Sequence, residues 1–193
     1  MLGEKYFLGI PPGAAKPCFD IPSHLQKGPK MRYKQKPTKQ TCMVYSFASA
    51  LDYIGARQAG SELYRKSNMF VNKSDAIQKF SVAARQIDEH LRFKKIDVRN
   101  YDILKNGEND LVLASLKGSD GKDDHCVTVY GSWLFDSNFD YALPLTKEAL
   151  DLCCSAENTQ DKFVSVNEAR ICQYAMDIKK KKSKKKNKKR KWS

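Results

Sequence analysis

Apolar positions change their period once along the chain, and the change divides it into a helical part and a sheet part. Val44, Phe47, Ala48 and Leu51 fall at i, i+3, i+4 and i+7, the spacing of one helix face. A helix is expected to begin at Thr41 or Cys42 and to stop near Gly55, a residue suited to the left-handed turn that ends helices. Ser61 suits the cap of a second helix running to about Met69. Ile77, Phe80, Ala84, Ile87 and Leu91 repeat in steps of three and four, which predicts a longer third helix opened by Asn72 or Ser74. His90 falls beside that stripe and reads as a surface or capping group.

After Arg92 the period shortens. Lys95 to Val98 reads as a short strand and Asn106-Gly107 as a turn. The run Leu111 to Leu116 is apolar on both faces, as in a central strand. A polar loop from Gly118 to Asp124 delivers the chain to His125. Val127 to Tyr130 and Trp133 to Phe135 are β-branched or aromatic runs, and Gly131-Ser132 between them suits a two-residue hairpin turn. Such a turn pairs Tyr130 with Trp133, Val129 with Leu134, Val127 with Asp136 and His125 with Asn138. Alternation then places His125, Val127, Val129, Leu134, Asp136 and Asn138 on one face. Thr146 can cap a helix containing Leu150 and Leu152, and a last helix is expected over about Val166 to Met176. These elements describe an α+β fold, its helical N-terminal half packed on a small antiparallel sheet.

With 193 residues the chain can hold one domain with a real core plus tails. No apolar run reaches the roughly 18 residues of a membrane span, and Met1 to Ile10 lacks the pattern of a signal peptide. An intracellular protein with no membrane partner is expected. Pro11, Pro12, Pro17, Pro22, Pro29 and Pro37 break up the N-terminal region, and His24 to Lys39 carries six Lys or Arg and no acid. Residues 1–40 therefore read as an extended basic leader wrapping the domain. Lys179 to Lys191 holds eleven Lys or Arg, so without it the net charge of +13 falls by 11 to +2. The basic balance belongs to a disordered tail, residues 178–193, and not to the domain at 41–177. That tail resembles a basic nuclear or nucleolar import signal. It would also attract nucleic acid without sequence preference, in a salt-sensitive way.

Six cysteines are present, and none forms a CxxC pair. No structural zinc site is indicated and no cofactor is implied. Most of the six read as buried small hydrophobes. Cys42 differs in lying at a helix start, where free backbone N–H groups and the helix dipole favour a thiolate. The competing reading of Cys42 is a core thiol. A thiolate downstream of which come a histidine and a carboxylate or amide on adjacent strands has the parts of a nucleophilic catalyst.

The order Cys42, His125, then Asp136 or Asn138, with helix first and sheet second, resembles the papain-like cysteine peptidase clan over about residues 35 to 145. The segment Val127-Thr-Val-Tyr-Gly131 followed by Leu134-Phe-Asp-Ser-Asn-Phe139 is similar to two distant branches of that clan. One is the leader-cleaving peptidase domain of bacterial peptide exporters, and the other is the bacterial effector cysteine peptidases. The resemblance implies a papain-like fold, Cys42 as nucleophile, His125 as general base and Asp136 as the orienting acid, with Asn138 as the alternative. It implies hydrolysis of a peptide or isopeptide bond in a protein or peptide substrate. A Gln before the Cys commonly donates to the oxyanion in the clan. Gln35 and Gln40 are the candidates, seven and two residues ahead of Cys42, and neither spacing is that of papain.

The lysine tail supports a reading from another class: an inactive peptidase fold used for binding, with the tail holding nucleic acid. The two readings differ in one observable, the reactivity of Cys42 toward a thiol reagent relative to the other five cysteines.

Overall fold

The structure, a computed structural model of the chain, describes residues 21–34, 42–70, 77–97, 101–106, 110–119, 124–155 and 161–174. It is a mixed α+β fold. Helix α1 (Cys42–Tyr53), α2 (Arg57–Arg65) and α3 (Ile77–Ile87) come first, then strand β1 (Leu91–Ile96). Strands β2 (Leu111–Gly118), β3 (Asp124–Tyr130), β4 (Trp133–Phe135) and β5 (Leu143–Pro144) follow, then α4 (Lys147–Ser155) and β6 (Phe163–Tyr174). The six strands form one sheet in the order β1-β6-β2-β3-β4-β5, with every neighbouring pair antiparallel. No helix among the described residues is long and apolar enough to cross a membrane.

The sheet is covered on both faces. Met43, Phe47 and Leu51 of α1, Leu63 of α2 and Phe80 of α3 share a core with Leu111, Leu113 and Cys126 of the sheet. On the other face, Leu150 and Cys153 of α4 pack with Val112, Ala114, Val127, Val129 and Ala169. The apolar stripe of α1 was expected on one side only. Yet every residue from Met43 to Leu51 is buried, because α2, the sheet and residues 31–34 enclose the helix. The rings of Phe80 and Phe93 lie 5.5 Å from that of Phe47. Truncating a fully buried Phe of this kind to Ala costs about 3–5 kcal/mol. The helix ends as expected at Gly55, whose φ is 86°. There Ala56 N–H donates to Leu51 O at 2.8 Å and Gly55 N–H to Asp52 O at 3.0 Å, the paired bonds of a glycine C-cap.

The last helix expected from the sequence is a strand. Phe163, Val166 and Ala169, at steps of three, all face the α4 side. Spacing of three imitates a helix, but here it comes from bulges. Opposite β2, the register jumps from Glu168 to Val166 and from Ser165 to Phe163, so Asn167 and Val164 are the extra residues of two bulges. Each extra residue turns a step of two into a step of three. Smaller differences occur elsewhere. Leu91, expected in α3, instead opens β1, because the chain turns at Asp88, whose carbonyl accepts from Leu91 N–H at 3.1 Å. His90 is held at that turn, its Nδ1 2.9 Å from Asp88 Oδ1. The second helix starts four residues before Ser61 and gives way to a 3-10 turn at Ser67–Phe70.

Part of the expected leader belongs to the packed body. Ile21, Leu25, Met31 and Tyr33 are buried. Gly28 N–H donates to Ala142 O at 2.9 Å, Ala142 N–H to Pro29 O at 2.8 Å and Met31 N–H to Asp140 O at 2.8 Å. This segment straps the chain that leads out of β4. The rest of the leader, the expected start of α3 at Asn72 or Ser74, most of the Asn106-Gly107 and Gly118–Asp124 turns, and the lysine tail lie outside the described residues.

Candidate active site

The β3–β4 hairpin has the expected register. Tyr130 pairs with Trp133 and Val129 with Leu134, and Gly131 opens the turn with a φ of 59°. Alternation puts Val127, Val129 and Leu134 toward α4, and Cys126 and Thr128 toward α1. The ladder stops after Thr128 and Phe135, so the expected pairs of Val127 with Asp136 and His125 with Asn138 do not form. The chain turns at Asp136 instead. Asp136 O accepts from Phe139 N–H at 3.1 Å and Asp136 Oδ1 from Asn138 N–H at 2.9 Å, an Asx turn.

That turn leaves the second carboxylate oxygen for the histidine. His125 Nε2 lies 2.8 Å from Asp136 Oδ2, with His125 8% exposed and Asp136 fully buried. An ionised carboxylate only accepts, so Nε2 carries the proton of this bond. A third contact comes from α4. Burial pushes the Cys153 thiol well above the usual thiol range, and the charge and hydrogen bond of Asp136 push it the same way. The protonated thiol therefore donates to the carboxylate. Asn138 is buried beside this pair, and its Nδ2 has no hydrogen-bond partner among the described residues.

Cys42 is the first residue of α1 and is half-buried. Its pKa is lowered from 9.0 to about 6. The largest cause is a hydrogen bond from the Cys126 side chain, and burial opposes it. The positive charge of His125 lowers the pKa further, as does the Cys126 backbone N–H, while the Asp136 charge works against them. The structure thus brings Cys42, His125 and Asp136 into one electrostatic neighbourhood from three separate elements. Gln35 and Gln40 lie outside the described residues.

Two participants escape a reading of the sequence: Cys126, which bonds to Cys42, and Cys153, which bonds to Asp136. Both are buried, as expected of most cysteines here, but burial does not end their role. Alternation after His125 gives the face of the strand on which Cys126 lies, but its bond to Cys42 depends on how α1 settles on the sheet. Nothing in the sequence pairs Cys153 with Asp136. Comparison with known protein families, with curated proteins and with solved structures found no match.

Proposed function

We propose that the chain is a papain-like cysteine hydrolase that cleaves a peptide or isopeptide bond. Cys42 is the nucleophile, His125 the general base and acid, and Asp136 the orienting group. The observation that carries this reading is a thiol lowered to about 6 at a helix head, within the electrostatic field of a histidine whose ring is bonded to a buried carboxylate. Helices packed on an antiparallel sheet, with the thiol on the first helix and the histidine on a strand, agree with the resemblance to the papain-like clan.

The chemistry follows from these groups. At neutral pH Cys42 is a thiolate, able to attack an amide carbonyl carbon without first losing a proton. The oxyanion that forms can be met by the Cys42 backbone N–H at the start of α1, and one such donor is worth about 3 kcal/mol. Asp136 holds Nε2, so Nδ1 is the nitrogen through which His125 passes its proton to the leaving amine. Water, deprotonated by His125, then hydrolyses the thioester. The buried carboxylate favours the imidazolium that this sequence requires.

The test is selective labelling. Iodoacetamide at pH 7 should alkylate Cys42 well ahead of the other five cysteines, and Cys42→Ala should abolish hydrolysis of peptide or isopeptide substrates with the circular dichroism spectrum unchanged. Equal labelling of Cys42 and the other cysteines would favour the binding protein with a nucleic-acid-holding tail.

A further inference from the structure

We infer that Cys42 and Cys126 form a peroxide-sensitive dithiol, in which Cys126 captures oxidised Cys42 as a reversible disulfide. This rests on the reading of Cys42 as an activated thiol and adds a mode of regulation to it. The placement comes from the way α1 lies on β3. Ser46 Oγ and Thr128 Oγ1 are 3.2 Å apart. One step back along the same helix face from Ser46 is Cys42, about 6 Å away at 1.5 Å per residue. One step back along the same strand face from Thr128 is Cys126, about 6.7 Å away. The two steps nearly match, so the contact at Ser46 and Thr128 sets Cys42 over Cys126. The hydrogen bonds from the Cys126 thiol and N–H to Cys42 agree with that stacking.

No other described cysteine competes for Cys42. Cys153 and Cys154 pack on the far side of the sheet. Cys172 shares the α1 side but sits on β6, with β2 between it and β3. Two strand spacings make about 9.6 Å, beyond the roughly 7 Å between Cα atoms that a disulfide spans. The exposures also divide the roles. Cys42 is half-buried, whereas Cys126 is 4% exposed, so Cys42 is the more accessible of the two to a small oxidant.

The steps balance with a hydroperoxide as the oxidant. The Cys42 thiolate attacks the outer peroxide oxygen, forming S–O and breaking O–O, and the leaving oxygen departs with a proton as water or alcohol. Cys42 is then a sulfenic acid. The Cys126 sulfur attacks the Cys42 sulfur, S–S forms and S–O breaks, and the hydroxide leaves as water with the Cys126 proton. Two thiols are oxidised by two electrons and one peroxide is reduced. Because the partner thiol is already in contact, the disulfide closes before a second peroxide can carry Cys42 to the irreversible sulfinic acid. The site is switched off and can be recovered by a dithiol reductant.

The experiment is a titration of the full chain with hydrogen peroxide. Free thiols are then blocked and the digest is read by mass spectrometry without reduction. The expected result is loss of two thiols per peroxide, a Cys42–Cys126 cross-linked peptide, and return of Cys42 alkylation after dithiothreitol. In Cys126→Ser the same dose should leave Cys42 as a dimedone-trapped sulfenic acid or a sulfinic acid, with no recovery of the latter. A wild-type chain whose Cys42 reaches sulfinic acid without the cross-link overturns the inference, as does one that joins Cys42 to a different cysteine. In either case rapid alkylation of reduced Cys42 keeps the hydrolase reading standing. If reduced Cys42 also alkylates no faster than the buried thiols, both readings fall.

Discussion

Asp136 reaches the ring of His125, its Oδ2 2.8 Å from Nε2, although the register expected from the sequence puts Asn138 opposite that histidine. The reason is local. Beyond Phe135 the chain leaves the ladder, and the Asx turn at Asp136 bends Asn138 away from the direct pairing while aiming the carboxylate at the strand. Asp136→Ala should therefore lower kcat on a peptide substrate by roughly 100-fold or more, the scale of acid–base catalysis by a positioned group. Asn138→Ala should cost less than about tenfold. Because the Asp136 pair is buried, its loss also costs about 3–5 kcal/mol of stability, so kcat is to be compared at a temperature where both variants remain folded. A silent Asp136→Ala beside a crippled Asn138→Ala would make the site a Cys-His-Asn one.

The thiol of Cys42 should titrate near pH 6. Its pKa is lowered, so the reactive thiolate is present above that pH and lost below it. Between pH 6 and 8 the iodoacetamide rate of an ordinary thiol climbs about 100-fold, while that of Cys42 should only about double. Cys126→Ala removes the largest cause of the shift and His125→Ala removes the charge, so each should move the midpoint upward. The same shift bears on folding. A depressed thiol stabilises the fold fully above the unfolded value of 9.0, and that contribution fades as pH falls to about 6. The melting temperature of Cys42→Ala, followed from pH 9 to 6, should accordingly lack part of the wild-type decline.

The hairpin was legible in the sequence because its turn was. A two-residue Gly131-Ser132 loop fixes the parity of both strands, and with it the face that His125 and Asp136 share. The strand at Phe163–Tyr174 was not legible, because two bulges gave its inward residues the spacing of a helix. Bulges are set by what β6 must pair with, and the partner strand lies about fifty residues upstream. The roles of Cys126 and Cys153 depend on how α1 and α4 settle on the sheet, a tertiary register that no local pattern encodes. The Asx turn shows the intermediate case. Asp-x-Asn is visible in the sequence, but which of the two reaches the histidine depends on where β4 ends.

Two other thiols should behave in the opposite way to Cys42. Burial holds the Cys153 thiol well above the usual range and raises that of Cys172 to about 12. Neither should react with a disulfide reagent at pH 8 in the native protein, and both should react at once in denaturant. A native chain that loses either thiol in the fast phase would mean that the α4 or β6 packing opens readily.

Gly28 and Gly131 should fail for different physical reasons, which one substitution can separate. Gly131 lies in the left-handed region at a φ of 59°, and an added Cβ there would meet nothing within 4 Å. Its constraint is conformational, so Gly131→Ala should cost about 1 kcal/mol and Gly131→Asn less, since Asn tolerates that region. Gly28 is constrained by space. An added Cβ would stand 2.5 Å from Trp133 Cε3 and 2.8 Å from the carbonyl oxygen of Ala142, the oxygen that accepts its own N–H. The indole can shift, but the carbonyl belongs to backbone already bonded to the strap. Gly28→Ala should therefore cost about 1–3 kcal/mol, and Gly28→Asn at least as much. On a chain of this length that is a fall in Tm of about 2–4 °C per kcal/mol. The strap also holds residues 140–142, just beyond the turn that aims Asp136, so a variant that loosens it should lower kcat as well as Tm. If Gly28→Asn melts with the wild type while Gly131→Asn does not, the strap is not seated on Trp133 and Ala142 as described.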